Sequence, residues 1–413
     1  MTANSVVAES IPETLRSRLV TLRRELHRQP ELAFNEVRTS RTLEAALRDL
    51  GIDDIRRVGE TGVVGRVRGR NKSAPVVAVR GDIDALPIQE ATGLPYASVV
   101  PNVMHACGHD VHASWAVGAA ALLANEPAEG DVLVVLQPAE EIGKGALAIL
   151  ESGALDGVAA IFGGHVDRRF DVGQVVADDG PLAASADTFE IELLGVGAHA
   201  ARPHEARDPI VALAAVVMAL QTIVARRLNP ATPGVVSIGM VQAGSAPNVI
   251  PDRARLSGTV RAVEPQSRGL MLSEVERVSK EVAAGLGVEA KVVVDRGTPP
   301  IVNPSSPTKW ARQAASNVLG ESNVVPLGFL NLAGEDFAHY MERIPGCFLR
   351  IGAREAGGPV IPAHSPVFYP AEESLFVGAA VLAECARVAS RELASDSSAA
   401  RQLGSSAGSP SSQ

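Results

Sequence analysis

The chain reads as an α/β protein of two domains, one discontinuous and the other inserted into it. Three observations carry that expectation. At 413 residues the chain exceeds the roughly 250–300 residues at which a single hydrophobic core stops growing. Its first half alternates continuous apolar β runs with helical patterns, as strands covered on both faces do. After Pro181 the order becomes β-α-β-β-α-β, and from about residue 308 the earlier style returns.

A helix is expected over TLRSRLVTLRRELHRQPEL, ending near Pro30, and a second over roughly residues 37 to 50. The runs VVGRVRG, PVVAVRGDIDALP, DVLVVLQPAEE and AAIFGGHV read as strands, with helices near 109–124 and 144–152 between them. From residue 189 to 302 come FEIELLG, the helix DPIVALAAVVMALQTIVARR, GVVSIGMVQAG, ARLSGTVRAV, a helix near 265–286 and EAKVVVDRG. That is the ferredoxin-like split unit, complete in about 115 residues. The helix TKWARQAASNVLG, the strand CFLRIGA and a helix near 371–393 close the first domain. The expected boundaries are 1–184 with 303–395 for the discontinuous domain and 185–302 for the insert. Residues 396–413, rich in Ser, Gly, Ala and Gln, are expected to form a disordered tail.

Aromatic residues make up only 3% of the chain, so the core must be built from Val, Leu, Ile and Ala. A net charge of -9 offers no basic stripe for a phosphate backbone, which excludes nucleic acid and favours a small-molecule substrate. No apolar run is expected to reach the ~18 residues that span a bilayer, and no signal-type block opens the chain. The expectation is therefore a cytoplasmic protein without a membrane partner. Cys107, Cys347 and Cys385 are too few and too scattered for a disulfide framework, and Cys385 lies in an apolar helical run.

Several polar residues fall where strands or loops end, which is where open α/β sheets place their sites. In MHACGHDVH, Cys107 and His109 sit two apart on a glycine-softened loop, a thiolate and an imidazole suited to a borderline divalent metal. DVLVVLQPAEE releases Glu140 and Glu141 side by side, so that one can bind metal while the other handles protons. His165 ends GGH, and His364 lies between prolines in IPAHSPVF. Taken singly, a loop histidine or a Glu-Glu pair is more often solvated. Spacing alone leaves a metal site and a set of bland surface groups equally open.

The motifs RGDIDALPIQE, MHACGHDVH, QPAEE, GGHV, GPLAASADTFEIELLGVGAHAARPH, NVIPD, GTVR, GEDF and AHSPVF occur in an order that resembles the M20 metallopeptidase family. The likeness is to its subfamily D of amidohydrolases, from about residue 15 to 392. It implies a catalytic domain with an inserted lid and dimerisation domain. It also implies two divalent metal ions, manganese or zinc with cobalt or nickel as alternates, held by Cys107, His109, Glu141, His165 and His364. Glu140 matches the family's base and His199 the lid histidine that stabilises an oxyanion, in dimeric relatives across the subunit interface. Asn248 and Arg261 match lid positions that hold a substrate carboxylate, and Asp84, with Asp82 as companion, a position that orients a metal ligand. The implied activity is hydrolysis of N-acyl amino acids by a homodimer. A dipeptidase or a diaminopimelate-pathway deacetylase would use the same centre, and a non-catalytic metal-binding protein the same fold. Cys107 as a redox or nucleophilic centre is a third reading, though no CxxC is present. Val196 with Ala198, where relatives show a denser glycine run, and Asp167, where many carry proline, depart from the pattern. They touch no expected ligand, so what they leave open is substrate preference.

Overall fold

The computed structural model describes residue 7 and residues 9–406. The chain separates into two compact units, one formed by Met1–Gly180, Asn303–Gly328 and His339–Gln413, the other by Pro181–Val302 and Phe329–Ala338. The second unit thus begins a few residues before the expected 185 and reclaims a segment assigned from sequence to the first. That segment is tied locally, since Ala184 N–H donates to the Ala333 carbonyl at 3.2 Å.

In the first unit, β1 (Ile55–Val58), β2 (Gly62–Val67), β3 (Val76–Asp82), β4 (Val132–Gln137), β5 (Val158–Asp171), β6 (Val175–Val176) and β15 (Gly346–Arg354) make a seven-stranded sheet. Its order is β1-β2-β4-β3-β5-β15-β6, with β4, β3, β5 and β15 parallel at the centre. The residues of β4 are buried throughout, as a central parallel strand requires. Helices α3 (His109–Asn125), α7 (Ser305–Leu319) and α9 (Ser374–Ser406) pack with this sheet, and α1 (Glu13–Arg28) packs on α3. α3 is buried on nearly every side, polar in its first turns and apolar beyond them, and Trp115 at its centre is fully buried. α2 (Val37–Arg48) covers β2, and the short α4 (Gly145–Glu151) follows β4.

Two sequence expectations are corrected in this unit. His165 does not end its strand, because β15 runs alongside and pairs through to Arg354 opposite Asp171, which carries β5 six residues further. α9 continues to Ser406, past the expected start of the tail at 396, while residues 407–413 lie outside the described residues.

The second unit holds β8 (Ala186–Leu194), α5 (Pro209–Thr222), β10 (Gly234–Ala243), β12 (Arg253–Ala262), α6 (Pro265–Gly285) and β13 (Glu289–Thr298). The four strands are antiparallel in the order β10-β12-β8-β13, with both helices packed on them. Asp208 caps α5 by accepting from Ile210 N–H at 2.8 Å, and Pro209 occupies its first turn. A short ribbon pairs β9 (Ala198–His199) with β11 (Val249–Ile250). The expectation that no apolar run could span a bilayer fails here: Pro209–Arg227 has a mean hydropathy of 1.9 and is long enough by composition. Its inward face, including Ala212, Val216 and Leu220, belongs to the unit's core.

Gly81, near the end of β3, positions the site described below. A Cβ there would sit 2.3 Å from the His112 carbonyl oxygen, on the backbone of α3. Only a hydrogen fits between strand and helix, and this close approach lets Asp82 reach His112. Gly81→Ala is expected to destabilise the metal-free protein by about 1–3 kcal/mol, since backbone cannot move aside as a side chain can. Denaturant unfolding checks this, and a wild-type midpoint would mean that the helix is not held so tightly.

Candidate metal centre

The carboxyl ends of β3 and β4 and the N-terminus of α3 converge in the first unit. Asp84, two residues past β3, is almost completely buried and ties three segments together. Its Oδ1 accepts from Glu140 N–H at 3.1 Å and its Oδ2 from Glu141 N–H at 3.0 Å. Its backbone carbonyl and Oδ1 lie 2.9 and 3.2 Å from His109 Nδ1. Glu36 holds the same turn from the other side, its buried Oε1 accepting from Ala139 N–H at 2.9 Å. Ala139 takes a φ of 53°, a left-handed value that a non-glycine residue adopts only under such constraint. Burial pushes the Glu36 carboxyl above the usual range, and Thr61, donating to it at 2.5 Å, works the other way.

Hydrogen-bond partners fix how each imidazole presents itself. His109 faces only acceptors at Nδ1, so that nitrogen carries the proton, and its buried Nε2 has no partner among the described residues. His165 Nδ1 donates to the Val166 carbonyl at 2.7 Å, leaving Nε2 as a lone pair 3.1 Å from Cys107 Sγ. His112 donates from Nδ1 to Asp82 Oδ1 at 2.6 Å and accepts Val166 N–H at Nε2, 3.0 Å away. Arg80 completes the layer by pairing with Asp82 and donating to Gln137 at 2.8 Å.

The ligand atoms of Cys107, His109 and His165 lie within 4.8 Å of one another, as do those of Cys107, Glu141 and His364 and those of His109, Glu140 and Glu141. His364 Nε2 is 3.4 Å from Glu141 Oε2, and His109 Nε2 is 3.8 Å from a carboxylate oxygen of each glutamate. Every expected ligand of the first unit, with Glu140, Asp82 and Asp84, is therefore gathered in one place. Electrostatics favour a cation there. Burial opposes protonation of His109, yet the charge of Asp82 and the bond to Asp84 raise its pKa well above the usual value. Burial and the neighbouring His112 and Arg350 push His165 well down, so it stays neutral and able to donate its lone pair. Cys107 is pushed well up by burial and Glu141, which makes it a poor free nucleophile and disfavours the redox reading. The orphaned Nε2 of His109 and Oε1 of Glu141 complete a nitrogen, sulfur and oxygen donor set that fits divalent metal.

Sequence reading singled out neither His112 nor the network behind α3. His112 follows His109 by three residues on one helix, a spacing within MHACGHDVH that could have flagged it. Arg23 and His27 of α1 meet Asp110 at 2.7 and 2.8 Å, all three buried, and no local signal predicts that. In the second unit, His199 and Asn248 are neighbours on the β9–β11 ribbon, where Ala200 N–H donates to the Asn248 carbonyl at 3.0 Å. His199 Nδ1 accepts Ala201 N–H at 3.0 Å, so its exposed Nε2 carries the proton as a donor. Arg261 lies on β12 opposite Val235, half-buried.

An α/β sheet whose strand ends gather two overlapping donor triads defines a dinuclear metallohydrolase type of site. Residues 78–388 match the profile of Peptidase family M20/M25/M40. The chain belongs to that family. It is 41% identical over 374 residues to an N-acetylcysteine deacetylase of Bacillus subtilis, covering 90% of this chain and 96% of the relative. An IAA-amino acid hydrolase (ILR1-like 4) of Arabidopsis thaliana is 38% identical over 375 residues, covering 89% and 84%. A crystal structure of a Bacillus subtilis dinuclear metal-binding peptidase of the M20 family superposes with a TM-score of 0.81 at 38% identity, covering 92% of this chain and 99% of that one.

One titration checks the buried surroundings. Burial lowers His105 to about 4, and both its ring nitrogens lack partners among the described residues. The unfolded chain takes up that proton near pH 6.5 while the folded chain withholds it, so stability falls as pH drops from about 6.5 to 4. In metal-stripped protein, His105→Met is expected to flatten that decline by at most one proton, about 1.4 kcal/mol per pH unit. Urea unfolding at stepped pH measures it, and an unaltered slope would place His105 outside the titration.

Proposed function

We propose that the chain is a metal-dependent amidohydrolase that cleaves the amide bond of N-acyl amino acids to a carboxylic acid and a free amino acid. The observation that carries this reading is the pair of donor triads sharing Cys107, with Glu140 beside them on a constrained turn. The deacetylase and amino-acid-conjugate hydrolase names of the relatives supply the substrate class. Two divalent ions, manganese or zinc, would be held by Cys107, His109, Glu141, His165 and His364, and would supply Lewis-acid chemistry that acidifies the attacking water and polarises the scissile carbonyl.

Each remaining step belongs to a residue of this chain. Glu140 takes the proton of the attacking water and returns it to the leaving amine. Asp84 keeps Glu140 and Glu141 in separate roles by holding both backbone amides, so the two side chains diverge from one fixed turn. Asp82 acts more remotely, through His112. The second unit serves as a ferredoxin-like lid. His199, protonated at Nε2, donates to the developing oxyanion, a contact worth about 3–4 kcal/mol. Arg261 clamps the substrate carboxylate bidentately with help from Asn248.

The lid is also the dimerisation domain in this reading. β10 is an edge strand with Met240 and Val241 exposed, and Val211 and Met218 leave an apolar face of α5 uncovered. A two-fold pairing covers both features and carries His199 to the partner's site.

Glu140→Ala is expected to abolish turnover of N-acetyl, N-benzoyl, longer N-acyl and indole-acetyl amino acids, with metal content by elemental analysis near wild type. Loss of metal together with activity would make Glu140 a ligand. Dipeptides turned over faster than every acyl substrate by the wild-type protein would move the reading to a dipeptidase. Mixing inactive Glu140→Ala with inactive His199→Ala protein should restore activity after subunit exchange, because each heterodimer assembles one complete site. No recovery despite demonstrated exchange would place His199 in its own subunit's site.

A further inference from the structure

His364 differs from the other expected ligands in how it is held. Cys107, His109, Glu141 and His165 lie in regular elements of the sheet and α3 or within four residues of one, whereas His364 rides in the middle of the loop between β15 and α9. Its side chain is 55% exposed. Between Glu355 and Val367 no residue of that loop is fully buried; partly buried Ile361 packs against the core and Ala91 N–H donates to the Pro366 carbonyl at 2.8 Å, so packing and backbone bonds hold the path at few points. Near the tip, His364 has a φ of 66° and its N–H donates to the Ala106 carbonyl at 2.8 Å.

At the base of the loop, where Ala371 N–H donates to the Ala353 carbonyl at 2.9 Å, a cluster of further contacts comes from one side chain, Arg168, three residues beyond His165 on β5. Its side chain is fully buried. Nη1 donates to the carbonyls of Ala353 and Tyr369 at 3.3 and 2.8 Å, gathering both ends of the loop. Nη2 donates to Glu355 Oε2 at 2.7 Å and to the Pro359 carbonyl at 3.0 Å. The guanidinium lies 4.4 Å from the centre of the Tyr369 ring. A planar fork with several donors suits this work, whereas a lysine ammonium offers three donors from one point.

We propose that Arg168 is the positioning residue for His364: it converts a sparsely packed loop into a fixed arm and so sets the affinity of the metal ion that His364 shares with Cys107 and Glu141. The proposal rests on the ligand set given under the proposed function. Because β5 carries both His165 and Arg168, one strand places a ligand directly and a second ligand through the arginine. Arg168 touches neither metal nor substrate in this scheme.

Zinc binding by wild type, His364→Ala, Arg168→Met and Arg168→Lys tests it, with stoichiometry from elemental analysis and affinity from chelator competition. Arg168→Met is expected to weaken one zinc roughly 10- to 100-fold, the range for groups that support a ligand from behind, and to spare the other. The weakened ion should be the one that His364→Ala loses. Arg168→Lys, which keeps the charge and part of the bonding, should fall between and carries the test if the methionine variant does not fold. In metal-free protein, amide exchange over residues 356–367 should quicken in both arginine variants while β3 and β4 keep wild-type protection. A role confined to general stability would lower protection everywhere and weaken both ions alike, which overturns the proposal. Wild-type affinity for both ions in the arginine variants, with one lost in His364→Ala, overturns it as well. If His364→Ala itself keeps both ions, the ligand set fails instead, and the loop exchange alone then decides whether Arg168 holds the arm.

Discussion

The carboxylate of Asp84 is the constraint on which the centre depends. Its two oxygens accept the backbone N–H groups of Glu140 and Glu141, and the same residue fixes the proton of His109 on Nδ1. A base, a carboxylate ligand and an imidazole ligand are thereby referenced to one buried group. Hydrogen bonds to a charged acceptor are the strong ones, and in a buried setting they hold geometry as well as energy. Glu36 supports the same turn from α2, which explains how Ala139 sustains a left-handed backbone between Pro138 and the two glutamates.

Behind that turn, the order of layers decides which nitrogen each histidine presents. Gly81 lets α3 come close enough for Asp82 to accept the hydrogen bond of His112 Nδ1–H, and His112 in turn accepts Val166 N–H. Val166 then offers its carbonyl to His165. The chain Asp82–His112–Val166–His165 links β3, α3 and β5 and leaves the lone pair of His165 directed toward Cys107. On the helix side, Arg23 and His27 neutralise Asp110 within the first turn of α3. Their charges, against the burial that opposes ionisation, hold the Asp110 carboxyl far below its usual range.

The alternation of apolar runs and helices made the α/β class and the order of strands and helices along the chain legible from the sequence, because side-chain periodicity reports which faces are buried. Boundaries read less well. The segment Phe329–Ala338 joins the second unit through backbone contacts that leave no periodic trace, and β5 outlasts His165 because its length is set by its neighbour β15 rather than by its own residues. The apolar excess of Pro209–Arg227 was passed over in the sequence, and which of its faces is covered depends on the sheet beneath it.

For the site, the motifs by themselves determined the residue types: a thiol and imidazoles, adjacent carboxylates at a strand end, and a late histidine between prolines. Those are chemical identities, and a linear string records them. What only the tertiary structure decided is which atoms face one another, since that depends on groups from 56 to 201 residues apart in the chain. Asp84 and Glu140, His27 and Asp110, and Arg168 with the loop of His364 are such pairs. A proton's place on an imidazole, the pKa of a buried thiol and the path of a sparsely packed loop are all set by neighbours in space, and sequence order does not encode distance.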